Sequence, residues 1–402
     1  MRHDHDHDPT AAAPRGGLMN RFTARAAAAV LGALGLTAGL LGAAAPAQAD
    51  TSAVELPPLV AAGPNYQQDL QAEVNYWTLA TMAAAGLNDD GTDAFAAQTG
   101  WDNLSAPWPG GQGLVSRTAG KLFMRVKDLD SGAVTSDACS ADVVTSANQS
   151  VVLTAGHCLA VNVPFAGALG VHDLHYIATN VVFVPGYNGA DLPRGTTSTA
   201  LPGKDIAPYG VWGVTRSWIT NTWSNSADWA LGRDMAALLV ANPTDPRPIA
   251  EVTGAQQVAF NQPQNQYDYM FGYPQTNERN WYWPNNNNGT AASNGAPQAL
   301  WRGFDGRSMM VTQGQSHADP VLPFDVLDSA QAPGCSGGPW LQNFDPATGA
   351  GVQTAVNSRY NDPNRGISLL AWLGWLQGPQ MEATHFGDEE LAVYQAAQSA
   401  SR

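Results

Sequence analysis

The chain has 402 residues, with 34 acidic against 19 basic side chains, a formal net charge of −15 and only 13% charged residues. An acid excess of this kind excludes the clustered Lys and Arg of a nucleic-acid-binding face. The length excludes one small domain and leaves enough chain for a large core.

At the N-terminus, His3, His5 and His7 alternate with Asp4, Asp6 and Asp8. Such a pattern has metal-binding capacity, but it lies ahead of Met19, so it reads as an overextended start or an added tag. No metal site is expected there. Arg21 and Arg25 then precede an apolar run from Ala26 to Leu41, and Ala47-Gln48-Ala49 comes just before Asp50. A basic start, a short apolar centre and an A-x-A site predict a secretory signal peptide cut after Ala49. The competing reading is a membrane anchor over Ala26–Ala45; the Ala and Gly content and the cleavage site favour the signal. Residues 1–49 are thus read as extension and signal, and the mature chain as secreted and free of the membrane.

Between Asp50 and Gly113 there are eight acidic residues and no Lys or Arg. Leu70, Val74 and Trp77 fall at i, i+4 and i+7, which predicts one face of a helix ending near Gly86. A Pro/Gly-rich stretch follows from Ala106 to Gly113. Position and composition mark residues 50–114 as a candidate propeptide and linker, partly helical, with Arg117 as a processing site.

From residue 115 to 402 the texture changes to short β-type runs: Lys121–Val126, Ala141–Thr145, Val151–Thr154, Val181–Val184, Gln257–Phe260, Tyr269–Tyr273 and Val352–Val356. Turn residues between many short strands predict an all-β barrel or sandwich. His172 and His175 stand at metal-like spacing without an acidic or Cys partner, and read as a surface turn. Trp281, Tyr282 and Trp283 read as barrel and loop packing rather than a stacking platform. Asn285–Asn288 reads as a loop tip. A terminal helix starts at Asp388 and runs through Glu389, Leu391 and Tyr394.

Three segments carry chemistry: Leu153-Thr154-Ala155-Gly156-His157-Cys158, Ala227-Asp228-Trp229-Ala230-Leu231 and Pro333-Gly334-Cys335-Ser336-Gly337-Gly338-Pro339. A serine hydroxyl needs an adjacent base before it attacks a carbonyl. Histidine takes that proton and returns it to the leaving group. A carboxylate on the second ring nitrogen fixes the tautomer. Asp228 is assigned that role over its rival Asp205, because Trp229-Ala230-Leu231 continues as a strand, whereas Pro208 interrupts the run after Asp205. The three cysteines, Cys139, Cys158 and Cys335, allow one disulfide with one thiol left over, and the sequence alone leaves all three pairings open.

T-A-G-H-C followed by G-x-S-G-G-P, in this order, resembles the chymotrypsin-like serine proteases, and the texture between them is similar to the secreted bacterial branch that includes the glutamyl endopeptidases. The likeness runs from about Gly120 to Tyr394. It implies two six-stranded antiparallel β-barrels with the site between them and a C-terminal helix. It also implies an oxyanion hole from the N–H groups of Gly334 and Ser336, where one donor stabilises the transition state by about 3–4 kcal/mol. The implied disulfide is Cys139–Cys158, with Cys335 left as a buried thiol pointing away from the cleft. Cys335 stands where animal digestive members carry the aspartate that pairs with the new N-terminus, so that activation switch is not expected.

By the same resemblance Ala330 falls at the floor of the substrate pocket, and Val356-Asn357-Ser358 forms its wall, with Asn357 and Ser358 binding substrate. Ala330 argues against a preference for Arg or Lys, and no cleavage residue is assigned. The resulting expectation is a monomeric serine endopeptidase acting on protein or peptide substrates without a cofactor. Its rivals are a narrowly specific processing protease or esterase, and a catalytically silent binding module.

Overall fold

The short apolar runs fold into two antiparallel sheets. The computed structural model describes residues 53–85, 105–109, 111, 113–162, 175–193, 195–226, 232–275, 306–319, 324–329, 331, 333–361 and 380–401. The signal-like segment, His172, Asp228, Trp281–Trp283, Asn285–Asn288 and Ala330 lie outside them.

The chain opens with β1 (Ala53–Glu55), α1 (Tyr66–Tyr76), α2 (Leu79–Ala85) and β2 (Ala106–Pro107). Next come α3 (Val115–Thr118), β3 (Ala119–Asp128), β4 (Val134–Val143), β5 (Val151–Thr154), β6 (Ala160–Asn162) and β7 (His175–Pro185). The run β8 (Trp212–Thr220), α4 (Asn221–Ser226), β9 (Ala236–Ala241), α5 (Ile249–Thr253) and β10 (Gln257–Val258) follows. Then come β11 (Tyr267–Gly272), β12 (Met310–Gln315), β13 (His317–Ala318) and β14 (Phe324–Asp328). The chain finishes with β15 (Pro339–Asp345), β16 (Ala350–Asn361), β17 (Gln380–His385) and α6 (Asp388–Ser399).

The first sheet runs β1-β8-β9-β5-β4-β3-β7-β6, and an added pairing of β7 with β8 closes the inner six strands into a barrel. Alternation explains what fills it. Leu122 and Met124, Ala141 and Val143, Val181 and Phe183, and Leu238 and Val240 point inward into one core. Their neighbours are apolar too, because the outer face is covered. Phe123, Val182 and Val184 lie under α1 and α2 with Val74 and Trp77. Val151, Leu153, Ala237 and Leu239 lie under α6 with Phe386, Val393 and Ala397. A strand buried on both faces reads as a continuous apolar run, as Val151–Thr154 does.

The second sheet runs β13-β14-β17-β16-β15-β11-β12-β2, with β10 parallel to β16. With the closed first barrel, this second sheet, curled into a half-barrel, bears out the all-β two-barrel expectation. Among the described residues β12 and β14 share no backbone ladder; the curled sheet brings them together through the Thr312 and Ser329 hydroxyls, 3.1 Å apart.

The acidic N-terminal segment is woven into both sheets. β1 adds to the edge of β8, and β2 adds to β12. The predicted helical face is split between α1 and the bend after it, yet Leu70, Val74 and Trp77 are all buried. Trp77 is fully enclosed and its indole N–H donates to the Asn180 carbonyl at 2.7 Å. Trp108 packs edge-on against Phe271 and Phe344. Truncating Trp77 to Ala is therefore expected to cost about 3–5 kcal/mol, measured by urea denaturation. A loss under about 1 kcal/mol would mean that the segment is only loosely attached.

Asp142, on β4, is completely buried. The Thr118 hydroxyl and the Val143 N–H lie near it, but neither is set in hydrogen-bond geometry on a carboxylate oxygen. Burial pushes its carboxyl up to about 8. Between the ordinary value and about 8 the unfolded chain ionises while the folded chain holds the proton, so this group loses stability as pH rises through that window. Asp142→Asn, which does not titrate, is expected to raise the melting temperature at pH 8 and leave it nearly unchanged at pH 4. A difference independent of pH would contradict this account.

Candidate active site

His157 sits on a single 3-10 turn, Gly156–Cys158, directly after β5. Its ring Nδ1 lies 2.7 Å from Asp234 Oδ2, and its backbone N–H donates to Asp234 Oδ1, also at 2.7 Å. The Ser358 hydroxyl donates to Asp234 Oδ2 at 2.7 Å. The Asp234 side chain is 1% exposed and that of His157 13% exposed, so the pair is dry on the carboxylate side and reachable on the imidazole side. A proton on Nδ1 directed at the carboxylate leaves the ring lone pair on Nε2, the arrangement a general base requires.

The carboxylate on His157 is thus that of Asp234, and the assignment to Asp228 is replaced. Asp228 lies outside the described residues. Its rival Asp205 sits in a turn where its carbonyl accepts from the Asn188 side chain. The same signal, an aspartate leading into a buried strand, was present at 234 and stronger there. Met235 and β9 behind it are nearly all buried, whereas Gly232 ends the run after Leu231.

Two neighbours fix the histidine from behind. The Tyr176 hydroxyl donates to the His157 carbonyl at 2.8 Å. Burial above all, then the Asp137 and Asp234 charges, push its pKa well up, so it stays a donor. The Trp223 ring stands 6.4 Å from the imidazole, and its N–H donates to the Ala160 carbonyl. Half-buried Asp137 also feels this site: burial raises its carboxyl, while the Ala138 N–H and the His157 and Lys121 charges oppose the rise.

Ser336 lies in the turn before β15. Ser140 of the first barrel grips that turn twice, its N–H donating to the Ser336 carbonyl (2.8 Å) and its hydroxyl to the Gly334 carbonyl (2.9 Å). The Cys158 sulfur, one residue past His157, lies 3.9 Å from the Ser336 carbonyl oxygen. The turn demands glycine. Gly337 has φ +78°, and a Cβ there would stand 2.0 Å from the Thr154 hydroxyl. Gly334 has φ +97°, and a Cβ would stand 2.6 Å from Gln275 Cγ. The Pro333 carbonyl accepts from the Gln275 N–H at 2.6 Å. Because a trans peptide sets N–H opposite C=O, the Gly334 N–H points away from Gln275.

Asn357 is fully buried and braces the turn: its amide donates to the Phe271 and Cys335 carbonyls and its oxygen accepts from Trp340. Ser358, 4% exposed, serves Asp234. Both side chains therefore face inward, not along a substrate wall. Cys139 and Cys158 form the disulfide, and Cys335 is a free thiol in the core of the second sheet, its pKa raised by burial. The Cys139 and Cys158 sulfurs also lie close to His157, but they are bonded to each other and so do not form a metal-ligand set. His175 opens β7 rather than lying in a turn, with Nδ1 3.4 Å from Asp130.

No family model matches the chain, and no curated protein does. Among solved structures, the protease Anisep from Arthrobacter nicotinovorans is 24% identical over 74% of this chain and 99% of that one, with a TM-score of 0.48. The thermostable serine protease AL20 from an extremophilic microorganism is 25% identical over 72% of this chain and all of that one, with a TM-score of 0.48. A Glu endopeptidase is 11% identical over 76% of this chain and 100% of that one, with a TM-score of 0.43. These are similarities at low identity.

Proposed function

We propose that the chain is a secreted serine endopeptidase that cleaves protein or peptide substrates through an acyl-enzyme. The observation that carries this reading is the His157–Asp234 pair, buried on its acid side, with the Ser336 turn held by Ser140 and its carbonyl 3.9 Å from the sulfur of Cys158, the residue after His157.

Ser336 Oγ attacks the substrate carbonyl as His157 Nε2 takes its proton. The tetrahedral oxyanion forms against the N–H groups of Gly334 and Ser336. The imidazolium, held by Asp234, then gives the proton to the leaving amine, and the acyl group stays on Ser336. Water enters, His157 removes its proton, and the carboxylic acid leaves as Ser336 recovers the hydrogen. No step calls for a cofactor. Secretion rests on the Arg21–Ala49 pattern; among the described residues no helix is long and apolar enough to cross a membrane.

A fluorophosphonate probe tests the nucleophile. Label on Ser336 that disappears on heating and in Ser336→Ala supports the reading, and native protein that takes no label overturns it. Asp234→Asn is expected to lower turnover by about 10⁴-fold with the fold intact, while Asp205→Asn and Asp228→Asn change it little. A severe loss at Asp228 with a mild one at Asp234 would return the role to Asp228.

The candidate propeptide is tested separately. The packing of Leu70, Trp77 and Trp108 favours retention of residues 50–114, and Arg117 lies in α3 between buried Ser116 and Thr118. N-terminal sequencing of the active secreted form is expected to give Asp50; a start near Arg117 would show a removed propeptide.

A further inference from the structure

The C-terminal helix holds the residue ahead of each of the two groups that fix the His157 ring, Trp223 at the near end of the stretch from 222 to 234 and Asp234 at its far end. At the near end, the Thr222 hydroxyl donates to Glu389 Oε1 at 2.6 Å and the Thr222 N–H to Glu389 Oε2 at 3.3 Å. At the far end, Arg233 Nη1 donates to Glu390 Oε2 at 3.0 Å. Glu389 is 4% exposed and Glu390 fully buried. The residue after Thr222 is Trp223, whose ring packs on His157. The residue after Arg233 is Asp234.

Two adjacent carboxylates on one helical turn thus fix the residues next to the two groups that orient the imidazole. Glu390 is itself fixed, because the Gly387 N–H donates to the same Oε2 at 2.8 Å. The helix behind them cannot shift freely: Phe386, Val393 and Ala397 are buried against Val151, Leu153 and Leu239. A displacement of about 1 Å at a catalytic group can cost about 100-fold in rate.

We propose that Glu389 and Glu390 are positioning residues for catalysis, setting Trp223 and Asp234 against His157 through Thr222 and Arg233. This rests on the serine-endopeptidase reading of the site. The helix that follows β17 of the second sheet then serves as scaffold for the His157–Asp234 pair carried by the first.

The test uses the full-length secreted protein and the rate of Ser336 labelling by a fluorophosphonate, which needs no knowledge of the natural substrate. Glu390→Gln and Thr222→Val are expected to lower the maximal labelling rate by about 10- to 100-fold with the half-saturating probe concentration unchanged. Arg233→Lys keeps a cation for Glu390 and is expected to retain the rate within about threefold. Rates are taken per folded molecule, from the amplitude of cooperative thermal unfolding. Should Glu390→Gln fail to fold, Thr222→Val and Arg233→Lys decide the matter. Variants that melt earlier but label at the wild-type maximal rate would show a structural role only and overturn the proposal. A wild type that takes no label overturns the reading of the site, and this inference with it.

Discussion

The Asp234 carboxylate lies beneath three donors from two sheets: the backbone N–H and ring Nδ1 of His157, from the first barrel, and the hydroxyl of Ser358, from β16 of the second sheet. A carboxylate taken out of water is costly unless its oxygens are filled, so the barrels cannot separate or slide without exposing that cost. Ser140 adds the reverse link, a first-barrel residue holding the Ser336 turn of the second sheet by its N–H and its hydroxyl. The same seam also holds apolar contacts, Ala119 against Phe271 and Leu341, and polar links away from the site, such as Lys121 to Gln275. Bonds that hold Asp234 and the Ser336 turn also join the two sheets.

How much of this was legible in the sequence follows from how local each feature is. His157 and Ser336 were legible because their turns require particular neighbours: the glycines of Gly334–Gly337 are fixed by positive φ and by contacts under 3 Å. The disulfide came with the resemblance and is present. The third residue was not legible with the same certainty, because nothing local compels an aspartate before a strand to meet a particular histidine 77 residues away. Both Asp228 and Asp234 precede apolar residues. Only the length of the apolar run that follows separates them, Trp229–Leu231 after Asp228 and Met235–Ala241 after Asp234.

Two further readings turn on what covers a face, which composition does not say. Asn357 and Ser358 looked like a wall presented to substrate. The register shift between Asn357 and Arg359 accompanies two consecutive side chains that both find buried partners, one under the Ser336 turn and one on Asp234. The acidic segment looked separable because it carries no basic residue, yet its apolar helix face was already visible at Leu70, Val74 and Trp77 and packs where β3 and β7 would otherwise be bare.

The placement of α6 has a consequence for the order of folding. The strands of the first barrel are synthesised before residue 242, but the outer face of β5 and β9 stays uncovered until Phe386 and the helix after it exist. A chain emerging from the N-terminus forward therefore carries an apolar barrel face, and an Asp234 loop without its clamp, through the whole synthesis of the second sheet. Contacts of such long sequence separation form late and slowly. Chain order alone therefore delays the pairing of Thr222 with Glu389 and of Arg233 with Glu390 until α6 docks.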